Sequence, residues 1–200
     1  MSQSAGIATD QELAQLPRWA MIAYAARGAR RALPAFAARW TDAGDEHVRS
    51  LRSSLEVVER ACAAPGTVGF EQLHAADKAA ADVALAAARA AHAGVDPSGG
   101  GEPDARIVQA MQLARAVSGA ASAGKSATAG DDRFAAGSAA DAVAFAEMAL
   151  ESDAFAASAR RDFEMLREQA RTNGWSAESA VDPATLGPEW ADGAPAGWPG

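Results

Sequence analysis

Apolar residues recur along this chain every three to four positions, over long segments that lack β-branched runs, so the pattern predicts helices. Thr9-Asp10-Gln11-Glu12 has the Thr-x-x-Glu form of a capping box and opens a short helix that ends before Pro17. Pro17 suits the first position of a long helix reaching about Trp40, with Trp19, Ile22, Ala23, Ala26, Ala29, Leu33, Phe36 and Trp40 at helical spacing. Pro34 lies inside that run and predicts a kink or break after Ala32. Further helices are expected from about Asp45 to Ala63, closed by Pro65-Gly66, and from about Gly69 to Ala93, with Gly94 at the C-terminal cap. Asp96 to Pro103 reads as a loop, after which Asp104 caps a helix that fades between Gly119 and Gly124. Gly124 to Asp132, small and polar, reads as a second loop. Asp131 to about Leu150 predicts the next helix, with Gly137 its weak point. Ser152 or Asp153 caps the last one, which ends at Asn173-Gly174.

The expected architecture is therefore all-α: a single bundle of five to six main helices over residues 1–174, with residues 175–200 as an irregular segment packed on it. That segment lacks periodicity but holds Trp175, Trp190 and Trp198, and a disordered tail usually lacks aromatics. Composition agrees, because alanine fills 56 of 200 positions and costs least in a helix interior. Alanine adds little burial area, so stability must come from close helix crossings and a few large anchors. The expected anchors are Trp19, Ile22, Leu33, Phe36, Trp40, Leu51, Leu55, Phe70, Leu73, Phe145, Phe155 and Phe163.

Charge narrows the classes of partner. Lys and Arg number 18 against 26 Asp and Glu, a net charge of −8. Nucleic acid needs a net basic face and is not expected as a partner. The lone Cys62 excludes an intramolecular disulfide framework and a cysteine-rich metal site, and reads as a small core residue. Neither a secretory leader nor a run of 18 strongly apolar residues is visible, so a cytoplasmic location without membrane insertion is expected.

Few residues carry chemistry. Gly119-Ala-Ala-Ser-Ala-Gly124-Lys125-Ser126 satisfies the phosphate-loop pattern G-x-x-x-x-G-K-[ST], which needs a strand before it and a helix after it. The residues before it, from Arg106 to Arg115, are helical in pattern, so an ordinary flexible loop is the simpler reading. Glu71-x-x-His74 is half of a carboxylate-bridged metal motif, but neither His47 nor His92 has a Glu three residues upstream. Glu71, His74, Lys78, Asp82, Arg89 and His92 trace a polar stripe that a solvated helix face explains. Asp45/Glu46 and Asp131/Asp132 fall at expected helix starts, where acids complement the dipole. No catalytic residue, cofactor or metal is expected. The remaining cluster is Arg27, Arg30 and Arg31 on one side of the long helix. It reads as a solvated face, as an internal clamp for the acidic C-terminal segment, or as a bidentate recognition face for an acidic protein partner.

Leu16-Pro17-Arg18-Trp19, followed by Ala25-Ala26-Arg27-x-Ala29-Arg30-Arg31-x-Leu33-Pro34-x-Phe36, resembles the opening helix of alanine-rich, all-helical immunity proteins of bacterial polymorphic-toxin systems. The ending, Leu186-Gly187-Pro188-Glu189-Trp190 through Gly197-Trp198-Pro199, is similar to that of bacterial helical proteins sharing this opening. The resemblance implies a small, non-enzymatic cytoplasmic protein that binds and neutralises or docks a partner protein. The alternatives are a self-associating scaffold and a helical-bundle enzyme with a nucleotide or metal site.

Overall fold

The computed structural model describes residues 6–95, 101–190, 193–195 and 198–199. Its elements are α1 (Asp10–Leu13), α2 (Arg18–Ala32), α3 (Pro34–Arg39), α4 (Asp45–Ala63), α5 (Phe70–Ala91), α6 (Ala105–Thr128), α7 (Asp132–Leu150) and α8 (Asp153–Asn173), followed by a 3-10 turn at Pro183–Leu186. The fold is all-helical, a bundle with about six main helices and no strand among the described residues. None of those helices is long and apolar enough to cross a membrane.

Local chemistry sets most boundaries where the sequence predicts them. Thr9 and Glu12 form the reciprocal capping box. Thr9 N–H is the main influence holding the Glu12 carboxyl below the usual carboxylate range, with Arg160 adding to it. Pro34 breaks the long N-terminal helix after Ala32, and Ser152 caps α8 through Phe155 N–H. Gly174 ends α8 with φ of 62°, a left-handed conformation that glycine adopts without a Cβ clash.

Three expectations need correction. Helix α6 does not fade near Gly119 but runs unbroken to Thr128, so the loop expected from Gly124 shrinks to a short turn before Asp131. Helix α5 ends at Ala91 with His92, not Gly94, in the capping position. Phe70, expected as an anchor, is 43% exposed and stacks on His74. Of the loop expected at Asp96–Pro103, Asp96 to Gly100 lie outside the described residues.

Helix α2 is the core element. Thirteen of its fifteen residues are buried, because α4, α6, α7, α8 and the 3-10 turn pack around it. A helix apolar on every side belongs in a core, and the unbroken stretch Trp19–Ala26 satisfies that description. Helix α6 lies next to α2 and also contacts α3, α4, α5 and α7.

Close approach replaces bulk at the crossings, and glycine sets three of them. A Cβ on Gly28 would lie 2.8 Å from Val143 Cγ2, where α2 meets α7. On Gly119 it would lie 3.0–3.2 Å from Ala142 Cβ, Cα and N, where α6 meets α7. On Gly124 it would lie 3.0 Å from Leu73 Cδ2, where α6 meets α5. Gly137 differs from these, since a Cβ there would meet nothing within 4 Å.

Candidate functional site

The buried charged side chains among the described residues, Arg27, Arg31 and Asp162, meet at one place, the junction of α2, α8 and the C-terminal segment. Arg27 and Arg31 are one turn apart on α2 and therefore share a face. Both are buried, with side-chain exposures of 5% and 1%. Their shared counter-ion is Asp162 of α8, itself buried. Arg31 Nη2 donates to Asp162 Oδ2 at 2.7 Å, and Arg27 Nε lies 3.1 Å from the same oxygen as an ion pair without hydrogen-bond alignment.

Two guanidiniums against one carboxylate leave a buried excess of positive charge, and backbone carbonyls of the C-terminal segment offset it. Arg27 donates to Pro183 O at 3.2 Å, Gly187 O at 3.1 Å and Pro188 O at 2.8 Å, and Arg31 Nε donates to Glu189 O at 2.6 Å. The Arg31 guanidinium also lies over the Trp190 ring at 5.3 Å and the Phe155 ring at 5.9 Å, both within cation–π range. Val181, Leu186 and Trp190 are buried beside these contacts, and Val181 N–H donates to Cys62 O at 2.9 Å. Residues 181–190 thus form a strap held by arginines and a tryptophan.

Arg27 and Arg31 clamp the C-terminal segment from inside. They do so through its backbone carbonyls and Asp162, not through its acidic side chains. Arg30 is half-buried and forms a bidentate pair with Glu59 of α4, with Nε 2.8 Å from Oε1. Glu59 raises the Arg30 pKa further, chiefly through that hydrogen bond. Arg27, Arg30, Glu59 and the strap border a cavity of about 390 Å³, in which Arg30 is paired with Glu59 and Arg27 is engaged by strap carbonyls.

Asp162 is not among the expected site residues, although a signal for it exists. It sits on the stripe Phe155, Ala159, Phe163 and Leu166, where α8 places its buried residues. A lone acid on an apolar stripe points to a buried basic partner.

The phosphate-loop pattern dissolves in the structure. Gly119 to Ser126 lie wholly within α6, so their amides serve the helix ladder and cannot converge on a phosphate. Each signature residue has a packing role instead: Gly119 and Gly124 admit neighbouring helices, and Ser126 is buried. Lys125 Nζ pairs with Asp77 Oδ2 at 2.6 Å, and Asp77 Oδ1 also accepts from Ser118. Lys125→Ala should cost about 1 kcal/mol through loss of that partly exposed pair. Magnesium–ATP should leave the melting temperature of both proteins unchanged. A nucleotide-dependent rise that the substitution abolishes would overturn this account of the motif.

The remaining candidates are placed as follows. Glu71, His74, Lys78, Asp82, Arg89 and His92 are all exposed on α5 or at its end. Among the described residues no three His, Cys, Asp or Glu gather closely enough to hold a metal ion. Asp131 caps α7 through Phe134 N–H, and Asp132 binds Arg18 at 2.6 Å. Cys62 is fully buried, and that burial pushes its thiol pKa well up, which removes the thiolate that reactivity requires. No family model, curated protein or solved structure matches the chain.

Proposed function

We propose that this chain is a non-enzymatic protein-binding domain, immunity-like in kind, which binds one partner protein stoichiometrically and so neutralises or docks it. The observation that carries this reading is the division of charge between interior and surface. Arginines of α2 are engaged inside, with Asp162, Glu59 and the strap, while the chain keeps a net charge of −8. What such a domain offers a partner is an acid-rich surface on a preorganised helical frame, and a basic protein complements it. Arg27 and Arg31 serve binding by fixing the strap, and Arg30 by tying α2 to α4 through Glu59.

The experiment is affinity capture of the tagged full chain from its host's lysate at low and high salt. One dominant basic protein in about 1:1 ratio is expected. It should be released near 1 M salt, where screening shortens electrostatic reach to about 3 Å. Toxicity of that partner expressed alone, relieved by co-expression, would complete the immunity reading. Recovery of the bait alone at adequate expression, with a concentration-dependent oligomer in light scattering, would replace the proposal with a self-associating scaffold.

A further inference from the structure

Helix α7 carries an outward stripe that the rest of the molecule covers only in part. Phe134, Asp141 and Met148 are spaced by seven, and the positions between them on that face are Gly137, Ser138, Ala144 and Phe145. Phe134 is 57% and Met148 58% exposed, which places two of the four exposed large hydrophobic side chains among the described residues at the ends of one seam. The seam is about 21 Å long at 1.5 Å per residue. Two adjoining depressions of about 310 and 380 Å³ run along it and share Gly137 and Asp141.

Gly137 is the telling residue. Glycine is the weakest helix former after proline, so a mid-helix glycine needs a reason. Gly28, Gly119 and Gly124 have one, because another helix occupies the space a Cβ would fill. Nothing fills that space at Gly137, yet it lines both depressions, where it would let an incoming backbone approach closely.

Charge selects what approaches. Asp141 stands exposed at the middle of the seam with no ion-pair partner among the described residues. Asp131 and Asp10 line the depressions beside it, against the single base Arg133. The geometry points to the outer face of α7 as the docking seam for a basic amphipathic helix of the partner protein. The partner's apolar stripe covers Phe134 and Met148, its backbone crosses at Gly137, and its Lys or Arg residues meet Asp141, Asp131 and Asp10. This inference rests on the protein-binding reading above and adds to it the surface and the chemistry of the partner.

The probe is a labelled peptide of about three heptads, with Leu at the a and d positions and Lys elsewhere. A second peptide carries Glu in place of Lys. Titrated into the full chain, the Lys peptide should shift amide resonances of Phe134 to Met148 and of Thr9 and Asp10, and the Glu peptide should not bind. Phe134→Ala combined with Asp141→Lys should weaken binding at least about tenfold. Leu85→Ala, at an exposed apolar site on α5, should leave binding unchanged. All these positions are exposed, so melting temperatures should stay near that of the unaltered protein.

Absence of binding, shifts centred on another face, or equal affinity in the double variant would overturn the seam. So would a dimer in sedimentation that Gly137→Leu dissolves, which would assign the seam to a second copy of the chain. Lysate capture separates the seam from the binding function. If the double variant retains a captured partner as well as the unaltered chain does, the seam fails while the binding function stands. If the unaltered chain captures nothing, the underlying reading fails.

Discussion

Asp162→Ala is expected to destabilise the protein by about 3–5 kcal/mol, the usual cost of leaving a buried charge without its partner. Two side chains depend on this carboxylate: Arg31 at 2.7 Å and Arg27 at 3.1 Å, both almost fully buried. Without it, two guanidiniums one turn apart would face each other's charge in a site closed to solvent. The carbonyls of Pro183, Gly187, Pro188 and Glu189 still accept hydrogen bonds but supply only partial charges. The strap should therefore loosen first, since moving aside would let water reach the arginines. Urea unfolding followed by helix signal gives the loss, and limited proteolysis after residue 175 reports the strap. Asp162→Asn, which keeps the shape and one acceptor, should fall between the unaltered protein and the alanine variant. A loss below about 1 kcal/mol for Asp162→Ala would mean that the carbonyls and rings already neutralise the site.

How far the sequence foretells this fold depends on the kind of signal. Boundaries set by local chemistry are legible: the Thr9–Glu12 box, the Pro34 break, the Asp45 start, the Ser152 cap and the Gly174 stop all lie where pattern and capping rules put them. What local rules miss is tertiary compensation. Gly119 and Gly124 read as a helix end because glycine opposes helix in isolation, yet each lies where a neighbouring helix crosses closely, and α6 continues through both. Phe70 reads as a core anchor from its type, but it opens α5 at the surface, where the packing stripe begins only at Leu73.

The candidate site shows the same division. Position along α2 groups Arg27, Arg30 and Arg31, but periodicity treats a polar run as one face. The structure divides them between two partners: Arg27 and Arg31 toward Asp162 and the strap, Arg30 toward Glu59. Asp162 is 131 residues from Arg31 in the chain, and no local rule joins residues so far apart. The exposure of Phe134 and Met148 is equally a product of assembly. Both fall within an alanine-rich helical pattern whose outer face becomes defined only when α1, α2, α6 and α8 have packed on the other.

Gly119→Val is expected to cost about 3 kcal/mol, toward the upper end of the range for overpacking a tight core. The new Cβ would fall 3.0 Å from Ala142 Cβ, 3.1 Å from its Cα and 3.2 Å from its N. Two of those three neighbours are backbone, so no rotamer change can relieve the clash and α6 and α7 must separate. The two γ-methyl groups enlarge that separation. The buried side chains along the crossing are largely alanines, whose methyl groups are too short to refill the gap that opens between the helices. Gly119→Ala sets a helix-propensity gain of about 1 kcal/mol against a displacement of a few tenths of an ångström, so its net effect should be small. Gly137→Ala provides the opposite sign on the neighbouring helix. Its Cβ enters open space, so it should raise stability by about 0.5–1 kcal/mol. Thermal and urea unfolding of the three variants should rank them Gly137→Ala, Gly119→Ala, Gly119→Val from most to least stable. A Gly119→Val protein as stable as its parent would show that α6 and α7 do not pack at the observed distance. Close backbone approach would then cease to explain how so alanine-rich a chain holds together.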